Sequence, residues 1–144
     1  MERGGVVGGW AVRAVRVRFP QSPASDLDVG AELRYACEDP FAVCLAFPAV
    51  GAPVEWYFCR NLLDAGRHRT TGLGDVTVFP GEDGTVVVAL RGARGCTPVA
   101  VPADAVEAFL ADAYALVPPG TEHLHLDVDT ALTRLLAPPP CEGA

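Results

Sequence analysis

His123 and His125 stand two apart in the run TEHLHLD, and on an extended segment their side chains share one face. With Glu122 or Asp127 they could chelate a metal ion. A metal site takes three or four ligands, and no third ligand falls at a known spacing, so polar side chains on a solvated loop are the favoured reading. Cys59 lies beside Arg60 near an expected helix start, an electropositive setting for a thiolate, and His68 nine residues on could act as its base. Nothing in the spacing holds that pair together. Cys44, inside the apolar run FAVCLAF, is predicted to be buried and inert. Gly72 and Gly74 suggest a phosphate loop, yet such loops follow a strand and open a helix, whereas these glycines precede a strand. A backbone turn into that strand is the better reading. The arginines Arg67 and Arg69 around His68, and Arg13, Arg16 and Arg18, could join Tyr35, Trp56 and Tyr57 in a face for single-stranded nucleic acid. Against this, Arg16 and Arg18 read as ordinary outward sheet residues paired with acids.

Charge argues the same way. The 144 residues carry a net charge of −7, which opposes general attraction to nucleic acid or anionic lipid. Residues 101–144 hold seven of the acids and Arg134 alone, so the excess is concentrated at the C-terminal end. All eleven basic residues are arginine, a sign of GC-rich codon usage rather than selected guanidinium chemistry. Half the residues are hydrophobic, enough for one globular domain spanning 1–144. No apolar run is long enough to cross a bilayer, and the N-terminus lacks the apolar stretch of a secretory signal, so the expected location is the cytoplasm. The five cysteines include no CxxC pair and read as reduced thiols. No metal, cofactor or small-molecule substrate is called for.

The elements that would position these residues are mostly strands. Period-two alternation predicts strands over Ala14–Phe19, Ala31–Cys37, Phe41–Phe47, Val54–Cys59, Val76–Pro80, Thr85–Leu90 and Cys96–Val101. The change of parity at Val12 and Arg13 suggests a bulge near Ala14. Residues 1–12 and 138–144 are expected to be flexible, with 1–9 frayed by glycine. Arg60–Ala65 reads as a short helix capped by Asn61 and closed by Gly66 in the left-handed conformation. Helical spacing predicts a further helix over Pro102–Val117, with Asp104 in its first turn and Pro118, Pro119 and Gly120 stopping it. An extended link, His123–Leu126, leads to a last amphipathic helix begun by Asp127, with Val128, Leu132, Leu135 and Leu136 apolar. The class is α+β: about seven antiparallel strands in a curved sheet or barrel, a short inserted helix, and two C-terminal helices.

Several motifs occur together and in order. LRY---DP-AV---F covers Leu33–Phe47, VEW-F-R-LL--G covers Val54–Gly66, and G-GDV-V-P covers Gly72–Pro80. FL----A-VPPGTE and D-DT-L---LA follow towards the C-terminus. In these the chain resembles the SsgA-like sporulation and cell-division proteins of filamentous actinobacteria. The resemblance implies a whirly-type fold assembled as a homotrimer, no enzymatic activity, and a role at division septa. Its partners would be division or cell-wall proteins, helping recruit the tubulin-like GTPase FtsZ or guiding wall remodelling. The matching positions are Asp39, Pro40, Glu55, Trp56, Phe58, Arg60, Leu62, Leu63, Gly72, Gly74, Asp75, Pro118, Pro119 and Gly120, to be read as structural or interface residues. Asn61 stands where the family has an aspartate, and Thr70 or Thr71 at a customary proline. The whirly likeness also implies an alternative role as a single-stranded nucleic-acid-binding protein.

Overall fold

The computed structural model describes residues 3–20, 28–48, 54–72, 74–93 and 95–126. The alternating segments form two antiparallel sheets. Five strands run in the spatial order of the chain: β1 (Arg3–Val7), β2 (Trp10–Val17), β3 (Val29–Ala36), β4 (Ala42–Phe47) and β5 (Val54–Cys59). Helix α1 (Arg60–Gly66) follows, then β6 (Val76–Pro80), β7 (Thr85–Gly92) and β8 (Gly95–Pro102) as a three-stranded meander. Helix α2 (Ala103–Leu116) and a short 3-10 helix, Glu122–His125, complete the described chain.

The α+β class holds, but the single sheet or barrel does not. There are eight described strands in two sheets, and they do not close among the described residues. The physical reason lies at Cys59. Strand β5 passes without a break into α1, so the chain leaves the sheet edge instead of pairing β5 with β6. Among the described residues the ladder link between the end of β2 and β8 is a bridge between Arg18 and Ala100, with both backbone hydrogen bonds made.

The eighth strand is β1, in the stretch expected to fray. The Gly8-Gly9 pair forms a two-residue hairpin loop with Gly8 at φ 61°, and β1 then pairs in continuous register with β2. No bulge interrupts β2 near Ala14. Ala11, Arg13, Val15 and Val17 lie on the face covered by α2, and Arg13 reaches the rim to meet Asp112 at 3.4 Å. Arg13 is thus a polar residue at an inward position because that position reaches the rim, not because the strand changes face.

Helix α1 begins at Arg60, with Cys59 in the capping place and no side-chain cap. Asn61 is inside the helix, because the first free N–H, that of Arg60, already donates to the Phe41 carbonyl at 2.7 Å. Gly66 ends the helix without left-handed geometry; Arg67 continues in the right-handed region. The expected helix over Pro102–Val117 is α2, and Asp104 accepts from the Ala105 N–H in its first turn. His123–Leu126 is largely the 3-10 turn, not an extended link. The last amphipathic helix lies outside the described residues.

Both sheets and α2 share one core. Leu33, Leu45, Val78, Val88, Val101, Phe109 and Leu110 are buried in it, each such side chain contributing about 1.5–3 kcal/mol. Strand β4 is buried on both faces, as its unbroken apolar run requires.

Candidate functional site

The largest fully buried side chain is not apolar. Arg60 is 1 % exposed and sits where α1, β3, the end of α2 and the 3-10 turn converge. Its Nη2 donates to Glu122 Oε2 at 2.9 Å. Its Nη1 donates to the Val117 carbonyl at 2.8 Å, the Tyr35 hydroxyl at 3.1 Å and the Ala113 carbonyl at 3.3 Å. The rings of Tyr35 and Tyr114 face the guanidinium, 5.0 and 4.6 Å from ring centre to the central carbon. Arg60 thus places a positive charge on the negative end of α2, donating to the Val117 carbonyl and adding a second donor to the Ala113 carbonyl, which also accepts from the Val117 N–H.

The other motif residues build the acceptors. Gly120, at φ 87°, turns the chain after Pro118 and Pro119, and its N–H donates to Glu122 Oε1 at 2.8 Å. The Pro118 carbonyl accepts from the Thr121 N–H and hydroxyl. Asp39 and Pro40 form the β3–β4 turn, whose Pro40 carbonyl accepts from the Tyr35 hydroxyl at 3.0 Å. A second clasp joins the helices: Asp64 on α1 accepts from the Tyr114 hydroxyl and from Arg67 at 2.6 Å. Arg67 also lies 3.6 Å from Glu107.

These contacts set the protonation equilibria. The Glu122 carboxyl is held below its usual range by its own backbone N–H, by Arg60 and by the Gly120 N–H. Burial pushes Asp64 up, but the Tyr114 and Arg67 hydrogen bonds outweigh it and the net shift is downward. Burial, then Asp64, drives the Tyr114 hydroxyl well above its ordinary value. Both carboxyls therefore contribute stability that is complete above the unfolded carboxylate range and lost as pH falls through their depressed folded values. Thermal midpoints should fall on acidification below about pH 4.5. Glu122→Gln should lower the midpoint at neutral pH and make that acid limb shallower; an unchanged limb would contradict the assignment.

The remaining predicted residues disperse. Phe58 and Leu63 are core residues, and Trp56 and Leu62 pack against the core. Gly72 (φ 140°) and Gly74 (φ 88°) are turn glycines ahead of β6, and the Asp75 carbonyl accepts from the Arg91 N–H. Glu55 accepts from Arg34 at 2.9 Å and from Tyr57 at 3.3 Å. Cys59 and His68 are both exposed, and the hollow against His68 is lined by Asn61, Asp64 and Arg67 without the thiol. Burial pushes the Cys44 thiol up. His123 and His125 are exposed on the 3-10 turn, while Glu122 is turned inward to Arg60. Among the described residues no three His, Cys, Asp or Glu side chains gather in metal-binding geometry. The arginine–aromatic face is divided: Tyr35 is buried and Tyr57 exposed, Arg13 pairs with Asp112, and Arg16 donates to the Asp28 carbonyl.

Two of the open hollows have mainly apolar or aromatic walls. One is an apolar groove of ≈ 490 Å³ at the open end between the sheets, walled by Phe19, Phe47, Trp56, Leu90 and Val99. The other is a pocket of ≈ 330 Å³ on the outer face of the five-stranded sheet, between Trp10 and Tyr57. No described helix is long and apolar enough to cross a membrane.

Residues 29–122 match the family of the Streptomyces sporulation and cell division protein SsgA. The chain belongs to this family. It is 44 % identical to the sporulation-specific cell division protein SsgB of Streptomyces coelicolor over 127 residues, 85 % of this chain and 93 % of that protein. SsgB of Saccharopolyspora erythraea is 43 % identical over 120 residues, 81 % of this chain and 84 % of the relative. Among solved structures, one from work on SsgB mutations that correlate to longitudinal cell division during sporulation of Streptomyces coelicolor superposes with TM-score 0.74. It is 42 % identical and covers 81 % of this chain and 94 % of its own. The SsgA-like sporulation-specific cell division protein of Thermobifida fusca also gives 0.74, at 31 % identity over 91 % of this chain and all of its own. This SsgB-like chain is therefore a sporulation-specific cell division protein of a family that is generally non-enzymatic.

Residue reasoning marked Arg60 as a motif position but missed its burial and its partners Glu122 and Tyr114. Trp10 was missed as a surface residue. The signal for the first was available in part, since an arginine between a strand and two leucines is badly placed for solvent.

Proposed function

We propose that this SsgB-like protein is a non-enzymatic adaptor of sporulation-specific division, acting in septum placement or cell-wall remodelling through protein contacts. The observation that carries the reading is the 44 % identity with SsgB across 93 % of that protein, and the motif residues Asp39 to Gly120 lie inside the family match over residues 29–122. The geometry supports it. Glu122, Asp64 and Tyr114 are committed to partners in the Arg60–Glu122 and Asp64–Tyr114 clusters. The exposed Cys59, His68, His123 and His125 gather into no metal-binding cluster among the described residues, and two of the open hollows are walled by apolar or aromatic side chains. In this reading the chain is cytoplasmic and recruited to septa, where its partners are FtsZ-associated division or wall proteins. It works as a homotrimer. Unpaired sheet edges and the apolar groove favour such assembly, because association covers both.

Deletion of the gene is expected to abolish or misplace sporulation septa, with a fluorescent fusion concentrating at septal sites and the purified chain sedimenting as three copies. Normal septation in a deletion strain with no compensating paralogue would remove the adaptor role, and a strictly monomeric chain would remove the trimer.

A further inference from the structure

The outer face of the five-stranded sheet carries a pocket unlike the rest of the surface. Its floor is made of small side chains, Ala36, Ala42 and the buried Cys44. Its walls are aromatic: Trp10 is 49 % exposed and Tyr57 61 % exposed, so both rings stand up from the sheet. The register explains the shape. Trp10 pairs with Ala36, while Tyr57 pairs with Cys44 and through it with Arg34, so the two residues stand three strands apart and two positions offset along them, roughly 16 Å between backbones, across a floor that cannot fill the space between them.

Charge around this trough is one-sided. Glu38, Asp39 and Glu55 line it with Arg34, the one base among the lining residues, which is already held by Glu55 at 2.9 Å and by Glu32 beyond the pocket at 2.8 Å. Glu38 and Asp39 are exposed on the turn at one end, with no side-chain ion pair among the described residues. We propose that this trough is the docking face for a basic segment of a partner protein, an arginine- or lysine-bearing peptide lying between Trp10 and Tyr57. The proposal rests on the adaptor reading above and specifies the surface and the chemistry of its partner.

The physical case is complementarity. A guanidinium or ammonium stem covers the apolar floor while its head meets ring faces and carboxylates. Exposed Trp and Tyr in a concave setting supply the anchors that dominate interfaces, and the excess of carboxylates selects the sign of the partner and excludes nucleic acid phosphates.

The test uses the full chain and a short labelled peptide alternating arginine with alanine, followed by anisotropy at about 0.15 M salt. Saturable binding is expected, absent for the counterpart with glutamate in place of arginine. Trp10→Ala with Tyr57→Ala should weaken it roughly tenfold or more. Glu38→Gln with Asp39→Asn should weaken it by about threefold, since rim charges contribute little each. Glu82→Gln with Asp83→Asn, the same charge change on the β6–β7 turn, should leave it unaltered. No saturable binding, or equal loss from the β6–β7 variant, overturns the proposal, the latter by showing attraction to net charge alone. Self-association of the chain that Trp10→Ala abolishes also overturns it, because the occupant is then a second copy. In vivo, a folded Trp10→Ala/Tyr57→Ala protein that restores septation overturns the docking face and leaves the adaptor role standing. Normal septa after deletion of the gene overturn the adaptor role and leave the peptide result readable.

Discussion

Arg60→Ala is expected to destabilise the protein by about 3–5 kcal/mol, the cost of breaking a buried ion pair by removing one partner. The expected drop in thermal midpoint is on the order of 10 °C. Several losses coincide at this site. Glu122 is left facing a void, the Ala113 and Val117 carbonyls lose the guanidinium, and the Tyr35 and Tyr114 rings lose the cation between them. Arg60→Lys should recover only a minor part, because a single ammonium cannot span Glu122 on one side and the end of α2 on the other. The two single losses at Arg60 and Glu122 should fall short of additivity in a double-mutant cycle, since each change orphans the other group. A stability loss below about 1 kcal/mol, measured by urea unfolding of Arg60→Ala, would show that the cluster is not what holds the 3-10 turn to α1.

This cluster marks the boundary of what the residues disclosed. The strands from Val29 to Pro102 were legible because each buries a face, and period-two alternation records that burial directly. Helix α2 was legible for the same reason at period 3.6. Alternation does not record which strands are neighbours, so the division into five and three strands was not legible. It depends on α1 carrying the chain away from the β5 edge. Strand β1 was hidden by composition: glycines at 4, 5, 8 and 9 resemble a frayed end, yet Gly8-Gly9 is also a two-residue hairpin loop. Gly4 is needed for another reason, since a Cβ there would meet the Val12 carbonyl at 2.7 Å. The Arg60–Glu122 contact joins residues 62 apart in the chain, and no local pattern encodes it. Pro118, Pro119 and Gly120 were read correctly as a helix stop. Their further role, aiming Glu122 inward, is visible only once Arg60 is known to be buried.

Gly66 gives the second large effect, and its sign is the informative quantity. In most helices Gly→Ala stabilises by up to about 1 kcal/mol, because alanine restricts the unfolded chain and prefers the helix. Here the opposite is expected. Helix α1 lies against β6 so closely that a Cβ on residue 66 would stand 2.2 Å from Val78 Cγ1, 2.4 Å from its Cβ and 3.0 Å from its backbone carbon. Carbon atoms prefer separations of about 3.5–4.0 Å. Val78 cannot yield as a long flexible side chain would: its Cβ is fixed to the strand, and it is fully buried. Its backbone is held twice, through reciprocal hydrogen bonds with Thr71 at 2.8 Å each. The helix must therefore lift away from β6, which draws Leu63 from the core and pulls Arg60 from its acceptors. Gly66→Ala should cost about 3 kcal/mol, the upper part of the range for overpacking, and Gly66→Val more. Gly5→Ala is the matched control, since a Cβ there meets nothing within 4 Å, and it should stay within about 0.5 kcal/mol of the parent. A Gly66→Ala protein as stable as the parent in urea would mean that glycine at this position serves chain flexibility rather than the close approach of α1 to β6.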